Sequence, residues 1–564
     1  MTQRQQGGTR ERDDARTIEN ADVCGVTWRV TPVKQWPTRF RPAHPAPRAA
    51  RGIGSTLLNL LHPFVPSLGP PVQLPLSFRR QLPALGVVGA TLGAAALLGS
   101  LAALSGELAL LFGLVAMLAA SVLLAHRFGV WWMCLLFPLA QTVVVPRQVM
   151  GVTGMNPVNI LTAATLASLA LAWLNARFRH RTLGLPPMPR ALLWLYVLPI
   201  GLAALHGAPS VDQIPDYYHQ IRAIAFEDGG GYLRDVYTRP MFLVVFALLV
   251  AMVFRDAPNP RLYIVPSLLA ALGLCGLVGY VLVESGLSLS VLGSTHARGV
   301  LSGLGMHANE ISLLLNTALA LALFSLRGAR GLTWLALAGC AVVFGGTVLL
   351  TFSRGGFLGL LVIFVAFLLH ANSPRSAAVA VVLAACVAFA LPDAVVERAS
   401  TGVSTGDQSA ISAGRADAIW PHVIPVILDS PLLGGGLMSI LWSPPARSGV
   451  ISVAQTHNAY LGLLLDMGLL GFVAVMGFFA WAWAQVRAAS READDPFFQH
   501  FFAGAAVTIP LLFVQGISDD RFTPTATQTL MWFGIGAALG YRARLARRRA
   551  AADAPAAPPS AEAA

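Results

Sequence analysis

The stretch QTHNAYLGLLLDMGLLGFVAVMGFFAWAWA, residues 455–484, decides the fold. A polar Gln-Thr-His-Asn quartet runs straight into an apolar segment, 459–484, in which Asp466 is the only charged residue. About 20 apolar residues cross a bilayer as a helix, because in hydrocarbon a helix satisfies every backbone polar group within itself. The stretch therefore reads as a membrane span with a histidine, His457, and an asparagine, Asn458, at its mouth.

Outward from it the same pattern recurs. Fourteen candidate spans are predicted, near 83–103, 107–125, 129–145, 158–175, 191–206, 240–254, 262–283, 309–326, 332–350, 356–370, 376–392, 459–484, 497–515 and 523–541. Of the 564 residues 55% are hydrophobic and 12% charged, against about 25% charged in a soluble domain. The chain reads as an all-α, polytopic integral membrane protein whose surroundings are membrane lipids, and no nucleic-acid partner is expected. Residues 1–82 read as a basic, partly disordered cytoplasmic region without the h-region and cleavage site of a signal peptide. Residues 83–541 form the membrane domain, and 542–564 a basic, Ala/Pro-rich tail. The five cysteines show no metal-ligand or disulfide-framework spacing.

Cytoplasmic flanks of spans carry an excess of Lys and Arg. With the N-terminus inside, 29 of the 39 basic residues fall on inside segments. Both termini are therefore expected in the cytoplasm. The loop 207–239 and the longest loop, 393–457, then face out, as do GLGMHANE (303–310) and TFSRGG (351–356).

These outward stretches carry the polar residues that the spans lack. Arg354 sits on a Gly-rich turn between two spans. A guanidinium binds phosphate with a two-pronged fork and stays charged when partly desolvated, and a helix starting at those glycines adds its N-terminal amides. The alternative is an arginine that merely snorkels. In THARGVLSGLGMHANE (295–310), Arg298, His307 and Asn309 precede a span. They read either as ligand contacts or as a polar loop whose helix is capped by Asn309 or Asn-Glu. Arg415, in the apolar segment GRADAIWPHVIPVILDSPLLGGGL (414–437), either meets an anion or pairs with Asp417. Loops as long as 393–457 without a function are uncommon.

His457 can act as a general base where an acceptor hydroxyl reaches it, and Asn458 either orients a sugar or caps the helix. Asp466 is an intramembrane charge, hence a functional candidate. It lies nine residues past His457, close to 180° around a straight helix, so the two share no face unless the helix breaks at Gly462 or Gly468.

Together SRGG (353–356), SPLLGGGL (430–437) and HNAYLGLLLDMGLLGF (457–472) resemble the O-antigen ligase and polymerase family of bacterial glycan transferases. RGVLSGLGMHANE is similar to the family's Arg…Gly…Asn-Glu stretch, with His-Ala where Pro is common. The resemblance covers roughly 295–480. It implies a GT-C-like membrane glycosyltransferase of the inner membrane with no metal and no other cofactor. The implied donor is a glycan on undecaprenyl diphosphate, presented in the periplasm. The acceptor is a lipid A-core sugar for a ligase, another lipid-linked repeat for a polymerase, or a protein hydroxyl in some relatives. The family's outer-loop histidine corresponds to His457, and its diphosphate-holding arginines to Arg354, Arg298 and Arg415, with Asn458, His307 and Asn309 near the sugars. A direct displacement at the anomeric carbon inverts it, and no carboxylate pair for a glycosidase-like route appears. A secondary transporter is the rival class. Its usual midplane site and internal repeat have no counterpart here, where polar clusters crowd one membrane face.

Overall fold

The computed structural model describes residues 126–146, 156–179, 188–286, 295–370, 412, 414–518 and 521–553, excluding the side chains of 295–298. Every element among them is a helix. The expected spans 83–103, 107–125 and 376–392 lie outside the described residues, as do residues 1–82, the first part of the loop 393–457 and the last residues of the tail.

Thirteen helices carry the description: α1 His126–Leu136, α2 Pro157–Phe178, α3 Arg190–Gln213, α4 Gly229–Asp256, α5 Pro260–Glu284, α6 Thr295–Ser302, α7 Ala308–Gly328, α8 Gly331–Leu350, α9 Arg354–Leu369, α10 Trp420–Asp429, α11 Ala459–Glu492, α12 Pro496–Gly516 and α13 Thr529–Ala552. Eight of these, α2 to α5, α7, α8, α11 and α12, are long and apolar enough to cross a membrane. Fourteen spans are therefore not reached among the described residues. The segment expected at 129–145 is an 11-residue helix that tightens into a 3-10 turn at Phe137–Leu139, where Pro138 stops it. The one at 356–370 is a 16-residue helix. The last expected span begins late, at Thr529, and runs on through the basic tail.

The loop expected at 207–239 is largely helical. Asp228 accepts from the Gly231 amide at 2.6 Å and starts α4 eleven residues before Pro240. Wide π turns at Leu193–Val197 and Leu233–Thr238 run up to Pro199 and Pro240. A helix-interior proline lacks an N–H and clashes with the carbonyl four residues back. A locally widened turn accommodates both effects. The charges drawn into α4 are paired, since Asp235 takes both Arg234 and Arg239 at 2.9 Å.

At the centre stand α7 and α12, packed against each other and, between them, against α8, α9, α11 and α13. Small residues set the closest approach. A Cβ on Gly536 or Gly540 of α13 would fall 2.2 or 2.0 Å from the carbonyl oxygen of Ala247 or Ala251 on α4. This is the small-xxx-small contact by which membrane helices approach backbone to backbone.

The bundle has two chemically different ends. At one, Arg261 pairs with Asp495 at 2.5 Å, Arg542 with Glu492 at 2.9 Å, Arg547 with Asp256 at 2.8 Å and Arg548 with Asp494 at 2.9 Å. Arg544 donates to the Ala257 carbonyl at 2.6 Å. The opposite end gathers GLGMHANE, TFSRGG and QTHN.

Candidate functional site

Four segments build the site, each held by its own local chemistry. The first two lock together. His307, not Asn309, is the N-cap of α7, and its backbone N–H donates to Glu310 Oε2 at 2.7 Å. Of the expected Asn309 or Asn-Glu cap, Glu310 takes part and Asn309 does not. With the Glu310 carboxylate back-bonded to His307, Asn309 lies inside the first turn and its side chain is left for another partner. Its Oδ1 accepts from Ser353 Oγ at 2.7 Å. Ser353 in turn caps α9 by accepting from the Gly356 N–H at 3.1 Å. Below the turn, buried Asn316 donates to the Gly356 carbonyl at 2.9 Å, and buried Gln515 to that of Gly355 at 3.0 Å. SRGG is therefore clamped by α7 and α12, with Arg354 half-buried as the first residue of α9.

The third segment, SPLLGGGL, is threaded into α11. The backbone of α11 breaks at Gly468, with φ 60° and ψ −168°. In an unbroken helix the Leu469 and Leu470 N–H groups would take the carbonyls of Leu465 and Asp466. Here they take those of Pro431 and Leu432 instead, at 2.8 and 3.1 Å. The released Leu465 and Asp466 carbonyls accept from Gly435 and Gly436, each at 2.9 Å. Loop and helix have exchanged partners, so no backbone group is orphaned. Only glycine fits: a Cβ on Gly434 would sit 2.5 Å from the Asp466 carbonyl carbon, and one on Gly468 2.3 Å from that of Leu432. The Asp466 side chain accepts from the backbone and hydroxyl of Ser439, at 3.0 and 3.1 Å.

The fourth segment is QTHN. Asn458 caps α11, its Oδ1 accepting from the Tyr460 and Leu461 amides at 3.0 and 3.1 Å. Of its two expected roles the capping one is thereby occupied. His457 precedes the cap in the left-handed region, φ 51°, where a non-glycine residue is uncommon. Among the described residues the other three are Arg222, Phe352 just before SRGG, and Met438 just after the glycine loop. Three of the four strained positions thus adjoin the motifs, and strain of this kind clusters at functional sites.

A cavity of about 540 Å³ joins the first, second and fourth of these segments, and no residue of SPLLGGGL lines it. His307, Asn309, Arg415 and His457 line it, together with Gly355 beside Arg354. Arg415 also donates to the Ser518 carbonyl and, among the described residues, makes no ion pair with Asp417. Arg354 itself does not line the cavity. Arg298 lies on α6, whose Gly299 and Ser302 line it, but its side chain is outside the described residues.

A smaller pocket of about 50 Å³ adjoins, lined by His457, Asn458, Asp466 and Arg521. His457 and Asp466 thus line one pocket, which a straight helix would not allow, and the helix does break at Gly468, one of the two expected positions. The helical phase begins only after Asn458, and the left-handed backbone of His457 turns its side chain independently of that phase. The break at Gly468 comes too late to be the reason.

Sequence reading passed over Arg521, Gln455 and Gln515. The signal for Arg521 was available, since it is one of only ten basic residues on outward segments. Among the described residues no group of three His, Cys, Asp or Glu side chains is placed to hold a metal ion.

Residues 339–476 match the family model described as O-antigen ligase. The match runs from α8 through SRGG and the glycine loop to the break in α11, about a quarter of the chain. No curated protein matches the chain. The chain is an integral membrane protein whose residues 339–476 are similar to the O-antigen ligase family.

Proposed function

We propose that the protein is a membrane glycosyltransferase that moves a glycan from undecaprenyl diphosphate to an acceptor hydroxyl at the outer face of the bacterial inner membrane. The observation that carries this reading is the single cavity lined by His307, Arg415 and His457 and floored by the SRGG turn. It lies at the end of the bundle opposite the basic turns. By the positive-inside rule that end is periplasmic and both termini are cytoplasmic. The N-terminal region, 1–82, and the tail, 542–564, then flank a membrane domain, 83–541, of GT-C-like character.

In this reading the acceptor oxygen bonds to the anomeric carbon as the bond from that carbon to the diphosphate oxygen breaks. The electron pair stays with the diphosphate, and the hydroxyl proton goes to the His457 imidazole. One displacement inverts the anomeric centre. Charge grows on the leaving diphosphate, so cations fixed before the reaction stabilise the transition state more than the ground state. Arg415 faces the cavity, and Arg354 and Arg298 stand beside residues that line it. His307 and Asn309 lie where the first sugars would pass, and the uncommitted Asn458 amide N–H₂ is a further donor. Guanidinium groups supply the charge, and no metal is invoked. The description of the matched family favours a lipid A-core sugar as the acceptor; a polymerase would use another lipid-linked repeat.

The test is transfer by purified protein with a lipid-linked donor. His457→Ala should lower the rate about 10²–10⁴-fold, the usual worth of a general base, while donor binding survives. His457→Gln keeps a hydrogen bond without basicity and should stay impaired. Normal turnover by the glutamine variant would leave His457 only an orienting role and remove the mechanism.

A further inference from the structure

The structure assigns to Arg521 a direct part at the reacting centre: it is the cation that meets the diphosphate next to His457, with Asp466 as its positioning residue. This rests on the transfer reaction proposed above.

Three residues, Gln455, His457 and Arg521, line both the 540 Å³ cavity and the 50 Å³ pocket. They stand where the two spaces meet, and Arg521 is the only permanently charged group among them. The proton acceptor and this guanidinium therefore share one junction. A diphosphate in the larger cavity with its anomeric carbon toward His457 brings its bridging oxygen to that junction.

The backbone from Arg521 to Thr523 is held by several contacts. Gln528, itself buried, donates to the Arg521 carbonyl at 2.5 Å and to the Thr523 carbonyl at 3.1 Å. Buried Tyr196 donates to the Phe522 carbonyl at 2.7 Å. The Phe522 ring is buried against Tyr460, Phe513 and Phe479, with centroids 4.9, 5.6 and 6.0 Å away. From the other side Arg415 donates to the carbonyl of Ser518. A catalytic group works when its support locks it near the productive geometry.

Asp466 completes the arrangement. Its carboxylate is fixed by the two hydrogen bonds from Ser439, and it lines the small pocket together with Arg521. A fixed carboxylate lining the same pocket as a guanidinium favours one placement of that cation. The partner exchange between the glycine loop and α11 sets the height of Asp466, so the glycine loop reaches the diphosphate through this pair. In the transfer step Arg521 forms and breaks no bond. It takes up the negative charge left on the diphosphate oxygen as the glycosidic bond to the acceptor forms and His457 receives the proton.

Arg521→Ala, Arg521→Gln and Asp466→Asn are compared with wild type in detergent. The readouts are transfer kinetics, binding of glycan-free polyprenyl diphosphate, and Tm. Arg521→Ala should lower kcat by about 100-fold or more, as loss of one preorganised charge-stabilising donor does, weaken polyprenyl diphosphate binding and leave Tm close to wild type. Asp466→Asn should lower kcat less and leave binding of the diphosphate measurable, because the cation remains but is less well held. Wild-type kcat in the folded alanine variant overturns the assignment. If that variant does not fold, Arg521→Gln decides: folded and about 100-fold slower supports the role, folded and fully active overturns it. Loss of folding in both makes Arg521 a structural partner of Asp466 and also overturns it. A wild type that binds polyprenyl diphosphate but transfers nothing sinks the proposed transfer reaction, while the binding comparison still tests Arg521.

Discussion

Ser353 and Asn309 lie 44 positions apart and meet through one 2.7 Å hydrogen bond. That bond makes two stretches, each ambiguous alone, parts of one structure. Asn309 looked like a helix cap and is the clasp of the arginine turn, because His307 took the capping position first. The same clasp frames what Arg354 can do. A turn held by Ser353, Asn316 and Gln515 gives the first residue of α9 a defined place, beside the cavity rather than in its wall. We predict that Arg354→Ala loses most transfer activity and that Arg354→Lys recovers little of it, because a point charge does not reproduce the two-pronged fork. Glycan transfer measured at matched protein levels checks this. Normal transfer by the alanine variant would leave Arg354 as an interfacial arginine with an apolar stem. His457 shows the opposite limit of reading single residues. Its identity and outward position were legible, but its left-handed backbone was not, and that backbone brings it to the same pocket as Asp466.

Among elements, α11 and the glycine loop depend on each other more than any other pair. Neither is a regular element alone: the helix has a break whose freed carbonyls need donors, and the loop has donors that need carbonyls. The exchange of four backbone hydrogen bonds stabilises both. A side chain at the crossing removes it. Gly468→Ala places a Cβ 2.3 Å from the Leu432 carbonyl carbon at φ 60°. Strain of this backbone class alone is worth about 1–3 kcal/mol, and the clash adds to it. Gly449, at φ 74° with nothing within 4 Å of an added Cβ, isolates the strain. Thermal unfolding of the two alanine variants in detergent should show the larger drop in Tm for Gly468. Equal drops would mean that the loop shifts aside without loss.

For the whole molecule the governing feature is polarity between its ends. The basic turns meet through Arg261, Arg542, Arg547 and Arg548 at one end, and the cavity opens at the other. Exposed ion pairs like these add little stability each, so their message concerns orientation. Single cysteines at exposed Ser448 and Ala552, in a background without the native cysteines, test it. An impermeant thiol reagent on intact cells should label Ser448→Cys and spare Ala552→Cys. The reverse pattern would put the cavity in the cytoplasm, where a periplasmic acceptor cannot reach it.

Eight of the expected spans, their helical class and the motif-bearing turns follow from sequence alone, because hydrocarbon leaves a long apolar segment one way to satisfy its backbone. Candidate residues His307, Asn309 and His457 were legible for the same reason, being polar groups at the ends of such segments, and Arg415 as a basic residue in the longest outward loop. Tertiary structure alone decided which of them share a space. The break at Gly468 depends on a loop more than thirty residues away in the chain, the place of Asn309 on a serine in another helix, and the lock on Arg521 on Tyr196 and Gln528. Hydrophobic periodicity reports which faces meet lipid. It carries no information about which buried polar groups find each other, because that pairing is set by contacts between segments distant along the chain.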